Sequence, residues 1–422
     1  MQMALVVLPL EAAFAAEPVP EPPRVPMAIF ADEARGPCAT GTSEALWTDA
    51  SRKDPSTADP DDLRKLMVQV WYPAEASVKS RRAPYALHPG LYAEGQWVRK
   101  LSRAETLSTL DAPLAPQPRK FPVIIYSHGR EFPHFSGTFQ TEFLASHGYV
   151  VVAIGHTGVN GLRRFPDGTS YKEDGHRYST QYTAATALSE PQRKLSPREQ
   201  FELLWAGADL SLYVQDVSFV LDRLQALDTD RRDRFHGRLD LGRIGMLGWS
   251  LGGIIAFQAA RSQPRIKAAV NLDGWPFGWL GPNGVVTRGS ERPLLLMNGR
   301  PGSLEAPEVQ VEAADQELLA AAQTYYWTML RRSTADWYRV GIRGASHMSF
   351  SDFFLFEEAE PEAIDPRQAH RIINEYTLEF FDKYLRESPR TPLLSGTKRY
   401  PEVELMRSPA PKASDTSRPL QR

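Results

Sequence analysis

The stretch 243–253 reads R-I-G-M-L-G-W-S-L-G-G. Its first half is the apolar run of a buried strand. Gly248-Trp249-Ser250-Leu251-Gly252 follows, and small and apolar residues continue to Ala260. G-x-S-x-G between a strand and a helix marks a sharp turn that lifts a serine hydroxyl off the edge of a sheet, with the helix N-terminus behind it. Such a turn strains the serine's backbone, and glycines two residues to either side leave no side chain to obstruct it. The same letters in a Gly-rich loop would carry no chemistry. Here both flanks are right, and partners for a nucleophile lie downstream.

The chain has 422 residues, enough for one large domain with extensions, and its apolar content of 42% is ordinary for a globular protein with a sizeable core. The net charge is −2, without a basic or acidic block, which removes the electrostatic reason to expect a nucleic-acid partner. No stretch is long and apolar enough to span a bilayer. The single cysteine, Cys38, rules out an internal disulfide and any multi-cysteine metal site, and neither a cofactor nor a metal is expected. Residues 4–10 form a short apolar run, and Ala13-Phe14-Ala15 supplies small residues at an A-x-A cleavage position. Residues 1–16 therefore read as a signal peptide, and a secreted or periplasmic location is expected, with a cytoplasmic one as the alternative. The run lacks a preceding Lys or Arg, and Pro9 and Glu11 interrupt it.

Residues 17–62, rich in Pro, Ala, Asp and Ser, read as an extended arm laid over a domain that occupies 63–390. The first regular element is 66–72, L-M-V-Q-V-W-Y, an alternating pattern expected of an antiparallel edge strand. Residues 84–118 show little pattern. Continuous apolar runs at 122–127 and 149–154 predict buried parallel strands, with a short helix between them over 139–146. The polar stretch 158–195 is long for a connection and reads as a lid or insert. Ser196, Pro197 and Glu199 open a helix whose apolar stripe runs through Leu212, Val217, Val220 and Leu224. Further strands are expected at 266–272, 293–298 and 337–342, and helices at 315–332 and 366–387. The tail 391–422, rich in Pro and Ser, reads as loose. Strands alternating with helices imply a mostly parallel sheet covered on both faces, with reactive groups at the strands' carboxyl ends.

A serine hydroxyl needs a base to take its proton. For a serine on such a turn the triad order along the chain is serine, acid, histidine. Of the nine histidines, two lie beyond Ser250: His347, just after the strand at 337–342, and His370, inside a helix pattern. His347 is the candidate base. The acid must orient the imidazole and stabilise its charged form. Asp273 ends the strand 266–272; Glu305, Glu308 and Asp315 follow the next one, and position alone favours Asp273 only slightly over Glu305. A developing oxyanion needs N–H donors. The Leu251 amide is one candidate, and the Arg130 amide in Ser127-His128-Gly129-Arg130 is the other. His128 is read as structural.

With these pieces in place the chain resembles the platelet-activating factor acetylhydrolases of the plasma and intracellular type II group, and their bacterial relatives in the alpha/beta-hydrolase superfamily. The resemblance runs from about 66 to 385 and rests on a combination of motifs. These are Val70-Trp71-Tyr72-Pro73, Pro122 through Gly129, Leu144-Ala145-Ser146-His147-Gly148-Tyr149, Gly248 through Gly253, Leu272-Asp273-Gly274-Trp275-Pro276-Phe277, and Ser346-His347 with Phe350, Asp352 and Phe353. It implies an α/β fold of the hydrolase type: a mostly parallel central sheet with helices on both faces and an N-terminal antiparallel edge. It raises Asp273 above Glu305, and it implies a serine-dependent, metal-independent enzyme that cleaves short or oxidised acyl chains from phospholipid-like or simple esters. Polyester-cleaving cutinases and dienelactone hydrolases are neighbouring alternatives, and a non-catalytic binding protein on the same fold is a third. The substrate would be a small-molecule or lipid ester, with transient contact to a membrane surface open. Trp249 stands where the family usually carries His, and Arg130 where an apolar residue is common. Trp249, Trp275, Phe277 and Phe350 are candidate walls of the acyl pocket. Core packing is the competing reading for Trp275, Phe277 and the aromatic run Phe350, Phe353, Phe354, Phe356.

Overall fold

The computed structural model describes residues 35–55, 57, 59–75, 81–92, 104–162, 164–170, 199, 210–275, 282–299, 313–356 and 363–409. Its centre is a run of parallel strands, β5 (Phe121–Ser127), β6 (Val150–Gly155), β7 (Leu239–Trp249), β8 (Ile266–Leu272), β9 (Leu294–Gly299) and β10 (Trp337–Ile342). All six are bounded much as their apolar runs predict. On one side lie β1 (Ala39–Lys53), β2 (Leu63–Ala74), β3 (Arg82–Pro84) and β4 (Glu105–Leu110); on the other lies β11 (Val403–Arg407). The sheet order is β11-β10-β9-β8-β7-β5-β6-β2-β1-β4-β3.

Period-two alternation along each strand builds two cores, one on each face. Ile124 and Tyr126 of β5, Val151 and Ala153 of β6, and Leu247 and Trp249 of β7 point to one face. There they meet helices α1 (Thr138–Ser146) and α5 (Pro366–Leu385). Val123 and Ile125, Val150 and Val152, and Ile244 and Met246 point to the other. There they meet α2 (Ser211–Thr229), α3 (Leu251–Ser262) and α4 (Ala313–Arg332). The chain runs from β5 out to β6, then returns past β5 to β7 and on to β10. Helix α1 leaves β5 on one face and α3 leaves β7 on the other, so a crevice opens outside the carboxyl ends of these two neighbours.

Four expectations change. The strand read at 66–72 is not an edge: β2 is buried along its length between β6 and β1. The arm 17–62 contributes a fifteen-residue strand, β1, which pairs with β2 from Ala39↔Ala74 to Asp49↔Arg64. Its apolar alternation is weak because Thr40, Gly41, Thr42 and Asp49 occupy four of its five buried positions, Trp47 being the fifth. The tail read as loose adds β11, antiparallel to β10 from Ile342↔Val403 to Tyr338↔Arg407, so the sheet ends antiparallel on both sides. Within 84–118, β4 forms at Glu105–Leu110 and is pinned where the buried Glu142 accepts from the Leu107 and Ser108 amides. Residues 1–16, read above as a signal peptide, most of the segment 158–195 and the expected N-cap Ser196 lie outside the described residues; helix α2 is described from Ser211.

Buried histidines should make the fold sensitive to acid. Burial lowers the basicity of His128, His156 and His370. His370, stacked on Phe139 at 3.8 Å with Nε2 on the Ser351 carbonyl at 3.1 Å, is brought down from 6.5 to about 4. A folded-state value below the unfolded one means that stability is fully present above about 6.5 and is lost as pH falls towards 4. Chemical denaturation between about pH 7 and about pH 4.5 should show stability falling with acidification. His370→Gln keeps a donor for the Ser351 carbonyl and should flatten that slope by up to about 1.4 kcal/mol per pH unit. An identical slope in the variant would refute the assignment.

Candidate active site

Ser250 stands between β7 and α3 at φ 55°, ψ −120°, a region rarely adopted by residues with a side chain. Its amide donates to the Leu272 carbonyl at 2.8 Å, and its carbonyl accepts from Gly253 at 2.9 Å. The flanking glycines answer to contacts rather than to flexibility. A Cβ on Gly248 would lie 2.2 Å from the Gly252 carbonyl oxygen, and one on Gly252 would lie 2.1 Å from that of Ser127. The turn thus holds two strand ends and a helix start in contact, and the N-terminal dipole of α3 faces the crevice behind the hydroxyl.

His347 opens a short 3₁₀ turn after β10, capped by Ser346, whose amide donates to Ser349 Oγ at 2.9 Å. Its Nε2 lies 3.0 Å from Ser250 Oγ and its Nδ1 lies 2.7 Å from Asp273 Oδ2. A carboxylate can only accept, so the proton sits on Nδ1 and Nε2 is left to accept from the serine hydroxyl. Asp273 follows β8 directly, with φ 52°, and donates its amide to the Met297 carbonyl at 2.8 Å. Its second oxygen accepts from Asn298 Nδ2 at 3.1 Å. The His347 side chain is 45% exposed and that of Asp273 is 13%, so the imidazole faces the crevice while the carboxylate is sheltered behind it.

Asn298 was not read from the sequence. The register β8–β9 pairs Leu272 with Met297, which sets Asn298 beside Asp273. A polar residue at the carboxyl end of the strand next to the acid was the available signal. Glu305 and Glu308, and the side chain of Asp315, lie outside the described residues.

The loop after β5 is tied on both sides of Arg130. His128 donates from Nδ1 to the Gly129 carbonyl at 2.7 Å and accepts the His156 amide on Nε2 at 3.0 Å. Glu131, at φ 66°, donates to the Val159 carbonyl at 2.6 Å. Gly129 lies flat on Trp249, where an added Cβ would come within 2.7 Å of the indole. Arg130 follows directly, and Gly252 packs on Ser127, so the Arg130 and Leu251 segments border the same crevice.

The pocket expectations need revision. Trp249 is fully buried; its Nε1 donates to the His347 carbonyl at 3.0 Å and its ring lies 5.4 Å from the imidazole. It braces the site instead of walling an open pocket. Phe350, Phe353 and Phe354 are buried in the core on the α1 face, so packing accounts for them. The cause is Asp352, which accepts from the Thr138 and Phe139 amides and from the Tyr85 hydroxyl and draws this segment onto the start of α1. Trp275 is half-buried against the opposite core, and Phe277 lies outside the described residues. Among the described residues no group of three or more His, Cys, Asp or Glu is placed to hold a metal ion.

Known proteins resemble this chain in sequence and in fold. The model of the family described as platelet-activating factor acetylhydrolase, isoform II, matches residues 100–389. A platelet-activating factor acetylhydrolase of Cavia porcellus is 26% identical over 286 residues, 63% of this chain and 58% of that protein, so the match spans less than two thirds of the relative. A bis(hydroxyethyl) terephthalate hydrolase of Streptomyces coelicolor is 33% identical over 90 residues, 18% of this chain and 29% of that protein. The solved ferulic acid esterase from Streptomyces cinnamoneus superposes with a TM-score of 0.64 at 26% identity, covering 87% of this chain and 96% of its own.

The glycine contacts carry a direct test. Gly252→Ala must displace the Ser127 carbonyl and should cost about 3 kcal/mol or more in urea denaturation. Gly90→Ala, whose new methyl would meet nothing nearer than 3.9 Å, should stay within about 0.5 kcal/mol of the parent. Equal stability of the two variants would remove the steric argument for the turn.

Proposed function

The chain belongs to the platelet-activating factor acetylhydrolase, isoform II, family, and on that premise we propose that it is a serine carboxylic-ester hydrolase working through an acyl-enzyme. The observation that carries the reading is the hydrogen-bonded series Ser250 Oγ, His347, Asp273 at 3.0 and 2.7 Å, with the hydroxyl on a strained turn at a crevice. The ester hydrolases among the similar proteins support it.

In this reading Ser250 Oγ bonds to the acyl carbonyl carbon as its proton passes to His347 Nε2. The imidazolium is stabilised by Asp273, which Asn298 holds in place. Negative charge grows on the carbonyl oxygen and is met by the Leu251 and Arg130 amides. The bond to the leaving oxygen then breaks, and His347 returns the proton to that oxygen, releasing an alcohol. Water repeats the sequence on the acyl-enzyme: its proton goes to Nε2, its oxygen bonds to the acyl carbon, and Ser250 leaves with the proton restored.

The substrate class proposed is an ester of a short or oxidised acyl chain on a phospholipid-like or simple alcohol. A second reading, an ester of an aromatic acid, is favoured by two of the similar proteins, which are named for terephthalate and ferulic acid. The proposed setting is outside the cytoplasm, and it rests on the apolar run and the Ala13-Phe14-Ala15 site in residues 1–16.

Ser250→Ala should reduce p-nitrophenyl acetate turnover by at least about 10⁴-fold and abolish fluorophosphonate labelling, with the melting temperature close to that of the parent. A folded chain that never reacts with the probe would point to a binding protein. Asp273→Asn should cost far more kcat than Glu305→Gln, and the reverse order would reassign the acid. Acetyl esters, oxidised phosphatidylcholine and bis(hydroxyethyl) terephthalate, assayed side by side, rank the two substrate readings by kcat/KM.

A further inference from the structure

Beneath the crevice lies a second serine–histidine–aspartate series in the same atomic order as the first. Ser127 Oγ is 2.9 Å from His156 Nε2, and His156 Nδ1 is 3.0 Å from Asp216 Oδ2. The acceptor-only carboxylate puts the imidazole proton on Nδ1, so the Ser127 hydroxyl donates to Nε2. Ser127 and Asp216 are 0% exposed and His156 1%, which leaves no approach for a substrate. The series therefore does not act on an ester, and another role must account for it.

Its far end is ionic. Asp216, on α2, accepts from Arg64 Nε and Nη2 at 3.0 and 2.6 Å and from Arg52 Nη2 at 3.0 Å. These charges hold its carboxyl well below the usual carboxylate range despite complete burial. Arg64 also donates to the Thr157 carbonyl, one residue beyond His156, at 3.0 Å. Arg52 comes from β1 and Arg64 from β2, so β1, β2, β5 and α2 meet, with the residue just past β6, on one carboxylate and one imidazole.

Buried ion networks of this kind rarely stabilise a fold more than apolar packing of the same volume would. Geometric specificity is the alternative return, and the near end shows what would be specified. Ser127 is the last residue of β5, and the segment that carries the Arg130 amide begins with the next residue. The Ser127 carbonyl is also the surface on which Gly252 of the Ser250 turn rests. A displaced Ser127 would move both proposed oxyanion donors relative to each other.

We propose that the buried series Ser127–His156–Asp216, fixed by Arg52 and Arg64, is a positioning device for the oxyanion loop, and that the N-terminal antiparallel strands belong to the active site through those two arginines. The proposal rests on the ester-hydrolase reading above. Ser127, His156 and Asp216 are positioning residues: they touch neither substrate nor reacting atoms, and act through the placement of the Arg130 and Leu251 amides.

The test uses the full chain, with active sites counted by fluorophosphonate titration so that kcat is expressed per reactive Ser250. Ser127→Ala removes one hydroxyl and no charge. It should lower kcat per site by about tenfold to a hundredfold while KM stays within about twofold, because the loss falls on the transition state. Affinity for a trifluoromethyl ketone, whose adduct carries the oxyanion, should fall by the same factor. His156→Phe should act likewise, and the double variant should lose no more than the worse single one, since both cut the same series. His156→Gln, which keeps an oxygen acceptor within reach of Ser127, should recover part of the loss. Melting temperatures that fall with per-site kcat and ketone affinity both within about twofold of the parent would reduce the series to a stability element and overturn the proposal. The unmodified chain tests the parent reading separately: if it hydrolyses no ester and is not labelled, both readings fall before any variant is compared.

Discussion

The close approach of three backbones at the Ser250 turn governs this molecule. The end of β5, the end of β7 and the first turn of α3 touch through glycines, with no room for a single added methyl at Gly248 or Gly252. That contact forces the serine into positive φ and turns its hydroxyl out over the sheet. It also ties the serine's position to that of the neighbouring loop, because the Ser127 carbonyl is one of the touching surfaces. Strain of this kind persists only where the surroundings over-determine it. Here two hydrogen bonds, two packed cores and the parallel register of β5, β7 and β8 do so.

Around this contact the polar groups are arranged in pairs of holder and held. Asn298 holds Asp273, Asp273 holds His347, and Trp249 holds the His347 backbone while lying against Gly129. Asp352 does the same at longer range. It accepts two amides at the start of α1 although burial pushes its carboxyl up to about 8, and so fixes the segment that follows His347. A half-exposed imidazole on a short 3₁₀ turn would otherwise have several rotamers to choose from. Rigid supports reduce that freedom before any substrate arrives, which is how preorganised sites lower barriers without reorganising during reaction.

The N-terminal strands change how the domain is understood. Without them β2 would present an apolar edge, a liability in any open sheet. β1 covers it from Ala74 to Leu63, and at its far end Arg52 joins Arg64 on a fully buried aspartate. Covering an edge explains the strand; it does not explain the two guanidiniums. Their hydrogen bonds to Asp216, and through His156 to Ser127 at the end of β5, are the basis of the role proposed for them in positioning the oxyanion loop.

Much of this was legible in the sequence. The β7–α3 turn, the six buried parallel strands and the choice of His347 as candidate base rest on short-range pattern: apolar runs, glycine spacing and the order of reactive residues; Asp273 is preferred to Glu305 by family likeness, because position alone barely separates them. Such signals are local because periodicity and turn chemistry are set by neighbours in the chain. What escaped was the long-range part. β1 and β11 have weak patterns of their own and become strands only because β2 and β10 offer them hydrogen-bonding edges. The aromatic run after His347 could line a pocket or fill the core, and the tertiary fold chose the core, since Asp352 reaches the amides of α1. Asn298, Arg52, Arg64, His156 and Asp216 carry no motif. Their meaning arises when residues up to 164 positions apart are brought within hydrogen-bonding distance, which no window of sequence can encode.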